Sequence, residues 1–196
     1  MISLIELVDI VIMSLFLGWL FEDFLTPKTK TVNDVVNKYV GGSNWYNSDF
    51  WFSVSVVAPS IIFHELAHKF VGLGFGYDAV FHAFYHNQFT FILAGVAAAM
   101  KLMNSGFLIL VPGFVLITGD PTAFQNFWIS FAGPLVHLLF FLGAWVLEKN
   151  ISVGARKREY LYLTKKVNGL LFVFNMLPIA GFDGAQVFDS LFEMIG

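Results

Sequence analysis

The chain has 196 residues, a formal net charge of −3, no cysteine and 24 phenylalanines, with 57% apolar and only 13% charged residues. Soluble domains carry about 25% charged and about 45 to 50% apolar residues, so this composition, at a mean hydropathy of +0.72, describes an integral membrane protein. The near-neutral balance argues against a nucleic-acid partner, and the lack of cysteine leaves histidine and carboxylate as the ligands for any zinc.

At about 20 residues per span the length allows one membrane domain of roughly four to seven crossings. Residues 2–25 are apolar, with Glu6 and Asp9 near the start and Glu22 and Asp23 near the end. The uncharged centre lacks a basic leader and a small-residue cleavage site, so it reads as a retained first span. Glu6 and Asp9, three apart, share a helix face and are expected in an interfacial turn. Residues 26–49 turn polar, with Pro27, Lys28, Lys30, Lys38 and the Gly41, Gly42, Ser43 break, and are expected as a loop. Trp45 and Trp51 mark a membrane interface.

A helix is expected over about residues 51–73, long enough to cross with some tilt. It contains His64, Glu65 and His68 in an HExxH pattern. Residues four apart lie on one face a turn apart, so both imidazoles can point at one cation with Glu65 beside it. This is the spacing of a zinc site with its general base attached. Ser60, Ile61, Ile62, Phe63, Leu66, Ala67, Phe70 and Val71 surround the trio with little competing charge, where such groups are costly unless paired or bound to metal. Pro59 leaves a carbonyl without its usual donor and is expected to kink the helix ahead of the site. Lys69 is expected to reach toward a polar surface.

Beyond Gly72, Gly74 and Gly76 a polar stretch carries Asp78, His82 and His86. The two histidines are four apart and form a second potential metal pair. With nothing nearby to complete it, they are expected on a polar rim. Residues 89–100 and 106–118 are two further apolar runs that either cross as a pair or dip in and return. Pro112 and Gly113 suit a broken segment lining a cavity. Residues 121–147 hold no charge and form the cleanest span, with Phe131, Ala132, Gly133, Pro134 and Leu135 allowing another backbone to approach closely. His137 is expected to pack there with one hydrogen bond.

Residues 148–166 include Lys149, Arg156, Lys157, Arg158, Lys165 and Lys166, more than half the basic residues of the chain, and the positive-inside rule places this expected loop in the cytoplasm. In residues 167–196, Asn175, Pro178, Asp183 and Gly184 interrupt an apolar sequence, which breaks the helix and frees backbone to face a cavity. A tetrahedral zinc with two histidines needs a third protein ligand and leaves one position for water. Asp183 is the better candidate, being placed at membrane depth by an unwound segment, where an unpaired carboxylate would be expensive.

HELAH in a span, residues 131–135, and Asn175, Met176, Leu177, Pro178 followed by Phe182, Asp183 and Gly184 together resemble the three landmarks of the site-2 protease family, the intramembrane zinc metalloproteases. The match covers roughly residues 51–190, and residues 111–115 are similar to the compact archaeal-type members. The resemblance implies an all-α polytopic fold of roughly six transmembrane or re-entrant helices, with a small re-entrant β element among the possibilities. It makes the chain a single membrane-embedded domain, with residues 1–50 as first span and polar loop. It further implies one zinc per chain held by His64, His68 and Asp183, Glu65 as base, and a transmembrane protein as substrate. Asn175 on the unwound segment would hold the substrate strand or steady the oxyanion. An edge strand in the insertion is expected to pair with the substrate, and His82, His86 and Asn87 are expected to line a water channel. His137 stands where the family usually has Asn, and Ala180, Gly181 and Phe182 where it usually has a second proline; both departures touch substrate positioning more than the metal. The family's usual orientation of the metal helix, from outside to cytoplasm, runs against the basic-residue assignment.

Two other classes fit parts of the sequence. A catalytically inactive pseudoprotease that binds helices would have no need of Glu65. An ion or proton carrier would use Glu6, Asp9, Glu22, Asp23 and Asp183 as a relay, yet most of these sit at span ends and no internal repeat is visible. Because the chain ends soon after Gly184, helices of a second copy are candidates to cover the site as a homo-oligomer.

Overall fold

Apolar runs with few helix breakers become long helices in the computed structural model, which describes residues 2–25, 48–105 and 113–196. In chain order these are α1 (Leu4–Leu25), α2 (Ser48–Gly74), β1 (Asp78–His82), a 3-10 turn (Phe84–His86), α3 (Gln88–Leu102), β2 (Phe114–Thr118), α4 (Ala123–Asn150), α5 (Ala155–Asn175) and α6 (Asp183–Ile195). Among the described residues three helices, not six, are long and apolar enough to cross a membrane: α1, α2 and α4. All three turn large apolar side chains outward, including Leu4, Ile5 and Val11 on α1, Phe63 and Phe70 on α2, and Leu139 and Trp145 on α4. In water such a surface would be a liability; in lipid it is the solvated face.

Helix α2 lies between α1 and α4, and α4 packs in turn on α5 and α6. The first apolar run after the metal helix becomes α3, which is only 15 residues long. The second ends as β2, paired antiparallel with β1 in a two-stranded sheet with His82 opposite Phe114 and Asp78 opposite Thr118. The expected β element is therefore present, and neither run crosses as a long helix among the described residues. Of the loop expected at 26–49, residues 26–47, Trp45 among them, lie outside the described residues, as does the Pro112 break, while Ser48 and Asp49 already belong to α2. The basic stretch at 148–166 is mostly not a loop: α4 continues through Asn150 and α5 begins at Ala155. Lys165 there pairs with Glu148 of α4, so part of its charge is used between helices.

The acidic groups of α1 do not sit at an interface. Glu6 and Asp9 are 2% and 0% exposed. Glu6 forms a capping box with Ser3, accepting from the Ser3 amide at 2.7 Å while its own amide meets the Ser3 hydroxyl at 3.2 Å. The same carboxylate pairs with buried Lys69 of α2 and accepts from the Phe81 amide of β1 at 2.8 Å. Lys69 thus turns inward rather than to a polar surface. Asp9 accepts from the Tyr85 hydroxyl, and this bond, with burial, pushes the phenol up to about 12, so Tyr85 stays a donor at neutral pH. A charge left alone in the interior costs about 3 to 5 kcal/mol. Lys69→Met is accordingly expected to lower stability by about that much, and adding Glu6→Gln to recover part of it, as read from the unfolding midpoint in detergent; equal midpoints for wild type and Lys69→Met would refute the pairing.

Pro59 inside α2 cannot donate to the Ser55 carbonyl. Tyr160 of α5 supplies the missing donor, its hydroxyl reaching that carbonyl at 2.7 Å. A proline defect in the metal helix is thus mended by a neighbouring helix, which also fixes how α5 lies against α2.

Candidate metal centre

One turn of α2 brings the two imidazoles of its HExxH segment together, with His64 Nε2 and His68 Nε2 3.1 Å apart. From the far end of the chain, Asp183 at the first turn of α6 brings its Oδ2 to 3.2 Å from His64 Nε2 and 3.4 Å from His68 Nε2. The Met176–Phe182 segment before it is non-helical and contains Gly181 at φ +98°. Asp183 therefore starts a short last helix and meets the histidines at once. Glu65 lies within the same group, its carboxylate no more than 4.8 Å from the histidine ligand atoms. All three α2 residues are buried, at 6–7% exposure.

Zinc bonds of about 2.0 to 2.2 Å to nitrogen and oxygen in a tetrahedron place neighbouring ligand atoms about 3.3 to 3.5 Å apart. The three separations found here, 3.1, 3.2 and 3.4 Å, match such a face closely. Asp183 Oδ2 is buried and receives no hydrogen bond. His68 Nδ1 donates to the Ile129 carbonyl at 2.6 Å, which leaves the Nε2 lone pair of a neutral ring pointing at the other two ligand atoms. Three acceptor atoms converging on one point, two of them buried imidazole nitrogens, have a common solution in a divalent cation. The residues present fit zinc.

Helix α4 forms the wall behind the metal site, and its approach depends on Gly133. A Cβ built there would lie 2.3 Å from His68 Nε2 and 2.7 Å from His64 Nε2. Gly184 has the same role for Asp183: a Cβ would fall 2.4 to 2.6 Å from the Met176 and Leu177 backbone, so only glycine lets α6 start against that turn. His137 makes the single hydrogen bond expected of it, to Asn168 of α5 at 2.9 Å. It also packs its ring against His64, with centroids 4.7 Å apart. It thus buttresses a ligand-bearing ring without pointing a ligand at the same spot.

The site opens into a cavity of about 790 Å³. Asn175, at the C-terminal end of α5, lines it together with His64, Glu65, His68 and Asp183, so the five sequence candidates share one space. Val115 and Ile117 of β2 also line it. Polar groups that sequence reasoning missed also reach it: Asn126 bonded to Ser190 at 2.9 Å, and Ser130 bonded to Gln186 at 3.1 Å. No spacing marks them, because each pair joins α4 to α6 across more than fifty residues. Of the three residues expected to line a water channel, Asn87 lines this cavity, with its side chain also capping α3. His82 and His86 do not; their rings pack together with centroids 4.7 Å apart, and His86 turns toward Asp9.

No protein-family model matches the chain, and no solved structure matches it. It is 32% identical over 139 residues to a Methanocaldococcus jannaschii protein named "Putative zinc metalloprotease", an alignment covering 70% of this chain and 69% of that one. It is 25% identical over 151 residues to a Synechocystis protein of the same printed description, covering 77% of this chain and 33% of the relative. The chain spans about a third of the length of that cyanobacterial relative.

Proposed function

The chain belongs to the site-2 protease-like family of zinc metalloproteases, and from that premise we propose that it is a multi-pass protein of the cell membrane that hydrolyses peptide bonds in or beside transmembrane segments of other membrane proteins. The observation that carries this reading is the convergence of His64, His68 and Asp183 ligand atoms with Glu65 beside them, in the wall of a cavity lined in part by helices that can cross a membrane.

His64, His68 and Asp183 would hold the zinc, which when bound supplies a Lewis acid that lowers the pKa of water from about 15.7 toward 7 and polarises a carbonyl. Glu65 takes the proton of the attacking water and returns it to the leaving amine. His68 keeps its orientation through the Ile129 carbonyl, and His64 through the His137 ring. Asn175 offers an amide to the substrate backbone or to the oxygen that gains charge. Strand β2 pairs with β1 among the described residues, and its other edge would take a substrate segment in extended form, with Val115 and Ile117 lining the cavity. A substrate helix must first give up its own hydrogen bonds to bind this way, which favours segments already weakened by Gly, Pro or polar residues.

The test is incubation of the purified chain with a panel of transmembrane peptides, with and without a chelator. Cleavage is expected for some peptides, to stop on chelation, and to return when zinc is restored. Cutting that persists in chelator would refute the metal-dependent reading. Peptide binding without cutting at any zinc level would identify a pseudoprotease instead.

A further inference from the structure

His82 and His86 look unfinished in the sequence because the group that completes them is more than seventy residues upstream. Asp9 of α1, His82 of β1 and His86 of the 3-10 turn bring one ligand atom each to within 4.8 Å of one another. His86 Nε2 is 3.0 Å from Asp9 Oδ2 and 3.1 Å from Oδ1. The Tyr85 hydroxyl occupies Oδ1 as a donor, whereas Oδ2 is buried with no hydrogen bond, and His82 Nδ1 is likewise buried with none. Two such buried atoms in one cluster of potential ligands are costly unless something satisfies them.

We propose that Asp9, His82 and His86 form a second binding site for a divalent transition cation of the zinc class, separate from the HExxH centre. Two imidazoles and one carboxylate neutralise half of a dication's charge and suit borderline metals such as zinc, cobalt or nickel rather than magnesium or calcium, which prefer all-oxygen shells. The donors come from three different elements, so a bound ion fastens the first turns of α1 to β1 and to the turn after it. The Asp9–His86 separation of 3.0 Å is already that of a metal-bound pair, and the three ligand atoms lie within 4.8 Å of one another, where a closed tetrahedral site needs about 3.3 to 3.5 Å. The His86 side chain, 31% exposed, has the freedom to swing in and close it, and the same exposure lets the ion exchange with solvent. A simple hydrogen bond between His86 and Asp9 would account for one of the contacts but leaves His82 Nδ1 without a partner. Because His82 stands opposite Phe114 in the sheet and packs on its ring at 5.4 Å between centroids, and Phe114 lines the cavity, occupancy would stiffen the strand pair at the rim of that cavity. The ion-binding claim stands whether or not the cavity accepts a peptide.

The experiment is metal counting on the tag-free chain in detergent, stripped with chelator, reloaded with zinc and freed of excess. Two zinc per chain are expected for the wild type, one for His82→Ala, one for the His64→Ala/His68→Ala double variant, and none when His82→Ala is added to the double variant. Since the chain has no cysteine, His82→Cys loaded with cobalt should show a thiolate-to-cobalt charge-transfer band that the wild type lacks. His86→Ala, at the exposed position, is expected to weaken the second equivalent at least tenfold while its elution on size exclusion is unchanged, and it carries the test if His82→Ala does not fold. One zinc in the wild type that His82→Ala keeps, two zinc retained by His82→Ala, or a second equivalent undiminished in His86→Ala, would overturn the second site. Loss of only the His64/His68 equivalent would count against the catalytic reading and leave this one standing.

Discussion

Replacing Glu65 with glutamine is expected to cut peptide turnover by about 10² to 10⁴ while leaving the zinc content unchanged. The magnitude is that of removing a positioned general base. Glutamine keeps the size of the side chain and a hydrogen-bonding end, but it cannot take a proton from water. Glu65 is buried beside the two histidines and faces the same cavity, and in the proposed mechanism it is not a ligand, so metal affinity has no reason to fall. Single-turnover cleavage of a transmembrane peptide by wild type and Glu65→Gln, with metal analysis of the same preparations, measures both quantities. A helix-binding pseudoprotease or an ion carrier predicts equal function in the two proteins. Loss of zinc in Glu65→Gln would move this residue into the ligand set and require another base.

Gly133→Ala is expected to weaken zinc binding by at least about a hundredfold, a larger loss than is usual for a residue that touches no metal. The new methyl would sit 2.3 Å from His68 Nε2 and 2.6 Å from His64 Cε1, well inside contact distance. The rings have little room to yield, since His68 is tied to the Ile129 carbonyl and His64 is packed against His137. Helix propensity works in the opposite direction, because alanine favours a helix over glycine by about 1 kcal/mol; a general loss of α4 therefore does not explain the effect. Gly143→Ala on the same helix supplies the control, as its Cβ meets nothing within 4 Å. Equilibrium dialysis should give wild-type affinity for Gly143→Ala and a collapse for Gly133→Ala. Unchanged affinity in Gly133→Ala would mean that α4 stands further from the histidines than the structure has it.

Some of the site was readable because its determinants are local. The His64–His68 spacing of four and the apolar setting of that helix bring the rings within 3.1 Å with little help from the rest of the fold. The small residues at 131–135 signalled a close approach, and the Asp183 carboxylate stood out as an ionised group in a broken apolar segment. The Ser3–Glu6 and Thr122–Gln125 capping boxes have the spacing of a helix start as well, but neither is among the expectations drawn from the sequence, which put Glu6 in an interfacial turn.

The remainder depends on which distant groups meet. A linear window sees Glu6 and Asp9 as charges at the end of a span; it cannot see that Lys69 lies against one and Tyr85 and His86 against the other. It counts apolar runs as crossings, whereas pairing with β1 turns residues 114–118 into a strand and leaves three long apolar helices among the described residues. Composition alone therefore determined the membrane class, and helical periodicity determined the two-histidine face with its glutamate, because both follow from neighbours within a turn or two. Tertiary packing decided that Asp183 closes on that face, that Gly133 gives it room and that buried charges find partners, since those contacts join segments tens to more than a hundred residues apart whose meeting no local rule encodes.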